Sequence, residues 1–185
     1  MTDRGLYALI FLINTLFGLY TAAVIVRFLL QWLRADFYNP LCQAIVKITN
    51  PLLLPLRRII PGWRGLDFAA VALTLLLQIV NIISVMVIVV GFPRPIDLAW
   101  WTLLKTLFLL VNLYFISILV EAVLSWTGTG GRNPMGALLW RLNAPLLQPV
   151  RKLLPPVGGM DFSPLVVLIL LQVVNILLPL QWPLR

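Results

Sequence analysis

The chain has no histidine, a single cysteine at Cys42, and only six acidic residues among 185. Each scarcity removes a class of chemistry. Without histidine there is no Ser-His-Asp triad, no imidazole base, and no histidine-ligated haem, zinc or copper. One cysteine forbids a disulfide within the chain, and Cys42 reads best as a small apolar residue that is buried or interfacial. The six carboxylates are scattered and offer no clustered metal site, and no phosphate-binding loop is present. The sequence therefore implies no cofactor and no enzyme.

What is abundant is apolar. Hydrophobic residues make up 61% and mean hydropathy is +1.00, well above a soluble domain. Four apolar runs approach or exceed the ~20 residues needed to span a bilayer, at about 6–33, 68–91, 98–126 and 165–180. The runs are continuous rather than alternating, which selects helices over a barrel. The first run continues past the ~7–15 residues of a signal-peptide core and no small-x-small site closes it, so it is expected to be retained.

Two stretches of the chain repeat each other at an offset of 94 positions, from 39 to 133, without gaps. Asn39-Pro40 returns as Asn133-Pro134, Pro51 and Pro55 as Pro145 and Pro149, and Arg57-Arg58 as Arg151-Lys152. Pro61 returns as Pro155, Gly65 as Gly159, and Asp67-Phe68 as Asp161-Phe162. The match reaches upstream to Tyr20 and Tyr114 and to Trp32 and Trp126, where it sets Arg27 opposite Glu121. The expected fold is all-α: four transmembrane helices as two parallel tandem units, 6–92 and 98–182, related by an axis along the membrane normal. Each unit reads span, amphipathic loop, span, with loops at 34–66 and 127–163.

The net charge of +8 is concentrated in those two loops. Arg34, Lys47, Arg57, Arg58 and Arg64 lie in the first; Arg132, Arg141, Arg151 and Lys152 lie in the second. In a membrane chain this points to anionic inner-leaflet lipids rather than nucleic acid. Long loops in the cytoplasm and both termini outside are the expected topology. Arg4, Arg94, Arg185 and a snorkelling Lys105 are left on the opposite face. Trp32, Trp63, Trp126 and Trp140 suit one interface, and Trp100, Trp101 and Trp182 the other.

Asparagine followed by proline suits a helix start, so an amphipathic helix is expected after each Asn-Pro. The second Asn-Pro, Asn50-Pro51, is expected to end that helix and start another over 52–60. Such segments either lie in the interface plane with basic groups toward headgroups or fold down as a lid on the bundle. Asp67 and Asp161 stand just before a span, as helix caps or as a symmetric cation- or proton-binding pair. Within the spans, Gln78 and Asn81, Gln172 and Asn175, Arg27 and Glu121 fall on single helical faces that should turn inward. Arg27 and Glu121, as repeat mates, are expected to pair across the axis. Gly18, Thr21 and Ala22 make a small-residue patch where another helix can approach.

The pattern Asn-Pro, Pro-Leu-Leu-x-Pro-x-Arg-(Arg/Lys)-x-x-Pro, then Gly-x-Asp-Phe before a span resembles the YggT family of small bacterial and plastid membrane proteins, over nearly the whole chain and in both copies. The resemblance implies an inner-membrane protein with two such repeats. It also implies links to osmotic-stress tolerance and potassium uptake, and, among relatives, to cell division, nucleoid distribution and cytochrome assembly. The first copy departs from the second at Ala69-Ala70, where Ser163-Pro164 stands. Two functions follow as expectations. The first is a membrane scaffold or assembly factor whose basic loops contact lipid headgroups and a protein partner or second copy. The other is an oligomeric ion-handling protein using the polar intramembrane faces.

Overall fold

The computed structural model describes residues 3–34, 39–63, 65–126, 134–154, 161–180, 183 and 184. Six helices follow in order: α1 (Asp3–Trp32), α2 (Pro40–Ile59), α3 (Phe68–Val89), α4 (Pro95–Trp126), α5 (Pro134–Leu153) and α6 (Ser163–Leu177). The β content of the described residues is one isolated bridge, Trp63 to Leu66. There Gly65 takes φ +84, a left-handed conformation that suits glycine and explains its place in the repeat motif.

α1, α3 and α4 are long and apolar enough to cross a membrane. α6 is not: its 15 residues rise about 22 Å against ~30 Å of hydrocarbon. Pro179 explains the early stop, because its ring disfavours a helical Leu178, which is extended instead. The chain beyond it returns to the bundle. Leu180 and Leu184 bury against Ile10, Ile82, Val85, Met86 and Leu104, and Asn14 Nδ2 donates to the Pro183 carbonyl at 2.9 Å.

Within each copy the three helices pack on one another, and the same positions carry the packing. Val24, Leu53 and Leu73 share one buried cluster of α1, α2 and α3; Ile118, Leu147 and Val167, their repeat mates, share another of α4, α5 and α6. The copies meet where α3 packs on α4, α1 on α4, and α2 on α5. Cys42 is buried at the last of these, clustered with Leu30 and Leu138.

The loop helices differ from expectation. Each is one 20-residue helix running through its two internal prolines, Pro51 and Pro55 or Pro145 and Pro149, rather than two short helices. A proline removes one N–H and crowds the carbonyl four residues back. Side chains add hydrogen bonds to carbonyls of the turn before Pro51. Thr49 donates to Ile45 O at 2.7 Å, Arg27 to Val46 O at 3.3 Å, and Tyr20 to Ile48 O at 3.3 Å. Asn39 caps α2 as expected, accepting from Leu41 N at 2.9 Å, and its amide also donates to the Pro134 carbonyl at the start of α5, 2.8 Å away. Its mate Asn133 lies outside the described residues, with Pro155, Gly159, Arg64, Arg132, Trp182 and Arg185.

Both loop helices pack on the spans of their own copy: α2 lies on α1 and α3, and α5 on α4 and α6. Of the small-residue patch on α1, Thr21 is fully buried. Gly18 and Ala22 line an apolar cavity of about 400 Å³ between α1, α4 and α5.

Leu53 and Leu147 are each fully buried where a loop helix meets its spans. Leu53→Ala and Leu147→Ala are each expected to destabilise the protein by about 2–5 kcal/mol in detergent unfolding. Ile59→Ala, at an exposed position of α2, should change it by no more than about 0.5 kcal/mol.

Candidate functional site

The intramembrane charges hold the loop helices to the spans. Arg27, 4% exposed in α1, directs Nη1 at Thr49 Oγ1 (2.6 Å) and Asn50 Oδ1 (2.8 Å) of α2. At the matching place in the second copy, Glu121 Oε2 accepts from Asn143 Nδ2 of α5 at 2.7 Å, and Ser117 Oγ donates to Asn143 Oδ1 at 2.6 Å. Thr49 and Asn143 are themselves repeat mates. The expected ion pair between Arg27 and Glu121 is therefore not formed. Their equivalence is real, but each faces its own loop helix rather than its mate, and burial of Arg27 also excludes snorkelling.

A second pair of contacts repeats beside the first. Arg57 binds Asp67 through Nε (3.1 Å) and Nη2 (2.5 Å), and Nη2 also reaches Gln31 Oε1 at 3.0 Å. Arg151 binds Asp161 through Nε at 2.8 Å and Glu121 through Nη2 at 3.5 Å. Asp67 caps α3 as expected, its Oδ1 accepting from Ala70 N at 3.3 Å; Asp161 stands one residue before the N-cap of α6, Phe162, and its Oδ1 accepts from Ser163 N at 2.9 Å. The sequence signal for this pairing was a ten-residue Arg-to-Asp spacing present in both copies.

The copies differ in charge and closure. The first collects Arg27, Arg57 and Asp67, one cation in surplus; the second collects Glu121, Arg151 and Asp161, one anion in surplus. The Asp67 side chain is 3% exposed and that of Asp161 is 38%. In the second copy Glu121, Arg151 and Asp161 line a cavity of about 520 Å³ between α4 and α6, walled by Leu119, Val123, Leu165 and Leu168. In the first, the matching groove along Ile25, Leu29 and Val71 is about 270 Å³ and holds none of the three charges. Phe28 lines it where the second copy has Ala122.

Away from the loop helices, Lys105 is buried rather than snorkelling. Its Nζ donates to Asn14 Oδ1 at 2.8 Å and to Asn81 Oδ1, and Asn81 in turn donates to Ile13 O at 3.5 Å. Asn175 donates to Asn112 Oδ1 at 3.2 Å. Gln78 is buried as expected, but Gln172 is exposed on α6, against the inward turn expected of it. The six polar span residues thus disperse instead of gathering. Of the remaining motif residues, Pro40 and Pro134 open the loop helices. Arg58, Pro61, Phe68, Lys152 and Phe162 are exposed.

Burial pushes the Asp161 carboxyl up, but the Arg151 guanidinium and the Ser163 N–H outweigh it and hold the group below the usual carboxylate range. A depressed folded value stabilises above the unfolded value and is lost as pH falls through the folded one. Thermal stability in detergent should drop on acidification below about pH 4, and Asp161→Asn should make that drop shallower. Arg27 and Glu121 share no hydrogen-bond partner, so the effects of Arg27→Met and Glu121→Gln should add to within about 0.5 kcal/mol. Glu121→Ala and Asn143→Ala, which each remove one partner of the same contact, should instead couple in a double-mutant cycle.

Comparison with known proteins agrees with this two-copy construction. The CCB3/YggT family model matches twice, at residues 6–88 and 100–182. The chain is 41% identical over 174 residues to the uncharacterized protein PA0392 of Pseudomonas aeruginosa, covering 92% of this chain and 87% of that one. It is 40% identical over 167 residues to the uncharacterized protein YggT of Escherichia coli K12, covering 90% and 87%. A protein from the proC 3' region of Vibrio alginolyticus is 40% identical over 172 residues, covering 91% of each. No solved structure matches the chain. With two matched copies spanning nearly all of it, the chain belongs to the YggT family and carries two tandem repeats.

Proposed function

We propose that the chain is a scaffold or assembly factor of the bacterial inner membrane, acting in stress tolerance, that holds lipid headgroups and a protein partner through α2 and α5. The observation that carries this reading is the outward face of those helices. Lys47 and its mate Arg141, and Arg58 and its mate Lys152, are exposed. Ile48, Leu52 and Ile59 stand beside them on α2, and Trp140 and Leu153 on α5, all exposed. Cations interleaved with large apolar groups match an anionic bilayer interface or a membrane-bound partner.

In this reading the chain makes four crossings, as α1, α3, α4, and α6 with the residues after it. The units 6–92 and 98–182 insert in parallel, with long loops cytoplasmic and termini periplasmic by the bias of lysine and arginine. A second copy or partner helix suits α6. Its Gln172 is exposed, whereas the mate Gln78 is buried in α3, and an amide left against acyl chains is unfavourable. Ion handling for potassium uptake or osmotic tolerance stands behind this reading, because the polar side chains form separate clusters and an arginine occupies one of them.

A photocrosslinker at Ile48 or Ile59 in native membranes is expected to yield one discrete protein adduct that Lys47→Glu with Arg58→Glu abolishes. Loss of all adducts, together with potassium-selective leak from liposomes holding the purified protein, would reverse the order of the two readings.

A further inference from the structure

The second-copy cavity is an amphipathic groove. At one end stand Glu121, Arg151 and Asp161; along its length run Leu119, Val123, Leu165 and Leu168. Leu119, Val123 and Leu165 are exposed on the protein surface, so the groove opens sideways to the acyl chains around the spans. Its volume of about 520 Å³ falls in the range of small-molecule sites.

The polar end is incompletely satisfied by its own residues. Arg151 carries five N–H donors; its Nε is taken by Asp161, and its Nη2 reaches Glu121 only at 3.5 Å. Asp161 is 38% exposed and the three groups carry one negative charge in surplus. The missing complement is one cationic donor group beside one anionic acceptor group, attached to hydrocarbon.

We propose that this groove binds a glycerophospholipid whose headgroup carries a primary ammonium beside its phosphate, with Glu121 and Asp161 on the ammonium and Arg151 on the phosphate. One acyl chain lies along Leu119, Val123, Leu165 and Leu168. The proposal rests on the membrane embedding of α4 and α6 put forward above. Charge complementarity selects the headgroup. A phosphatidylglycerol brings an anion to a site already in anionic surplus, and the quaternary ammonium of phosphatidylcholine has no N–H to donate.

The first copy shows how such a groove is closed. Phe28 occupies the place of Ala122, and Gln31, at the place of Ser125, engages Arg57. Asp67 is sealed behind that arginine. The head of the groove is thereby removed, leaving an apolar remnant. Seating of a headgroup in this groove thus belongs to the second copy alone.

The full chain, purified in detergent, is titrated with dioleoyl phosphatidylethanolamine, phosphatidylcholine or phosphatidylglycerol, and bound lipid is counted by native mass spectrometry. Phosphatidylethanolamine should bind about tenfold more tightly than either of the others. Ala122→Phe, which installs the first-copy residue, and Asp161→Asn should each reduce that affinity about tenfold, whereas Val80→Phe on an exposed face of α3 should not. Circular dichroism checks that each variant is folded, and the two groove variants fail by different routes, so at least one remains interpretable. Equal affinity for phosphatidylglycerol, unchanged binding in a folded Ala122→Phe or Asp161→Asn, or displacement by soluble phosphoethanolamine alone would overturn the proposal. Lys47→Glu with Arg58→Glu, which lies outside the groove, should leave phosphatidylethanolamine binding there unchanged whether or not the photocrosslinked adduct is found, so failure of the scaffold reading and failure of the groove are separate outcomes.

Discussion

An ionisable side chain inside an apolar bundle has to be met by groups that share its charge or hydrogen bonds, because neither lipid nor hydrocarbon side chains will. Here that need is what fixes the loop helices to the spans. Arg27 reaches up from α1 to Thr49 and Asn50; Glu121 reaches from α4 to Asn143. Without these anchors α2 and α5 would be amphipathic helices free to rest anywhere in the interface. With them, each is held at one register over the mouths of its spans, and the Arg-to-Asp pairs beside them tie its C-terminal turn to the start of the following span.

Duplication set up two equivalent anchors, and divergence then gave them opposite sign. A guanidinium is acceptor-hungry and is satisfied by a hydroxyl, an amide oxygen and a carbonyl; a carboxylate needs donors and finds an amide and a second arginine. Changing the charge required changing the partner, Thr49 against Asn143 and Asn50 against Ala144. Changing the partner also altered the fit. The arginine of the first copy left Arg57 to pair tightly with Asp67, while Glu121 draws on Arg151 and leaves Asp161 more exposed. One copy became a sealed joint and its twin an open one.

Much of this was legible in the residues. The repeat, the apolar runs and the capping asparagine needed only spacing and side-chain chemistry, and the matched clusters around Leu53 and Leu147 follow the same offset. The departures have identifiable reasons. A local reading ends the helix at Pro51, whereas the helix continues through it with donors from α1 and from Thr49 on the turn before it, and contacts from another helix are invisible to such a reading. Arg27 and Glu121 invite pairing with each other as charge complements at equivalent positions. Equivalence in a repeat predicts similar surroundings, which is a different thing from contact. Lys105 was assigned outward for want of a visible partner; its partners, Asn14 and Asn81, come from two other helices.

The hydrogen bond from Asn14 to the Pro183 carbonyl joins positions 169 apart in the chain. Together with Leu180 and Leu184 against Ile10, it closes the end of the bundle away from α2 and α5. Such a closure carries the entropy of the whole intervening loop and so gains its reward late in assembly. The first helix and the last described residues are thereby joined at this end, so the two copies are clasped at their outer ends as well as where α3 meets α4.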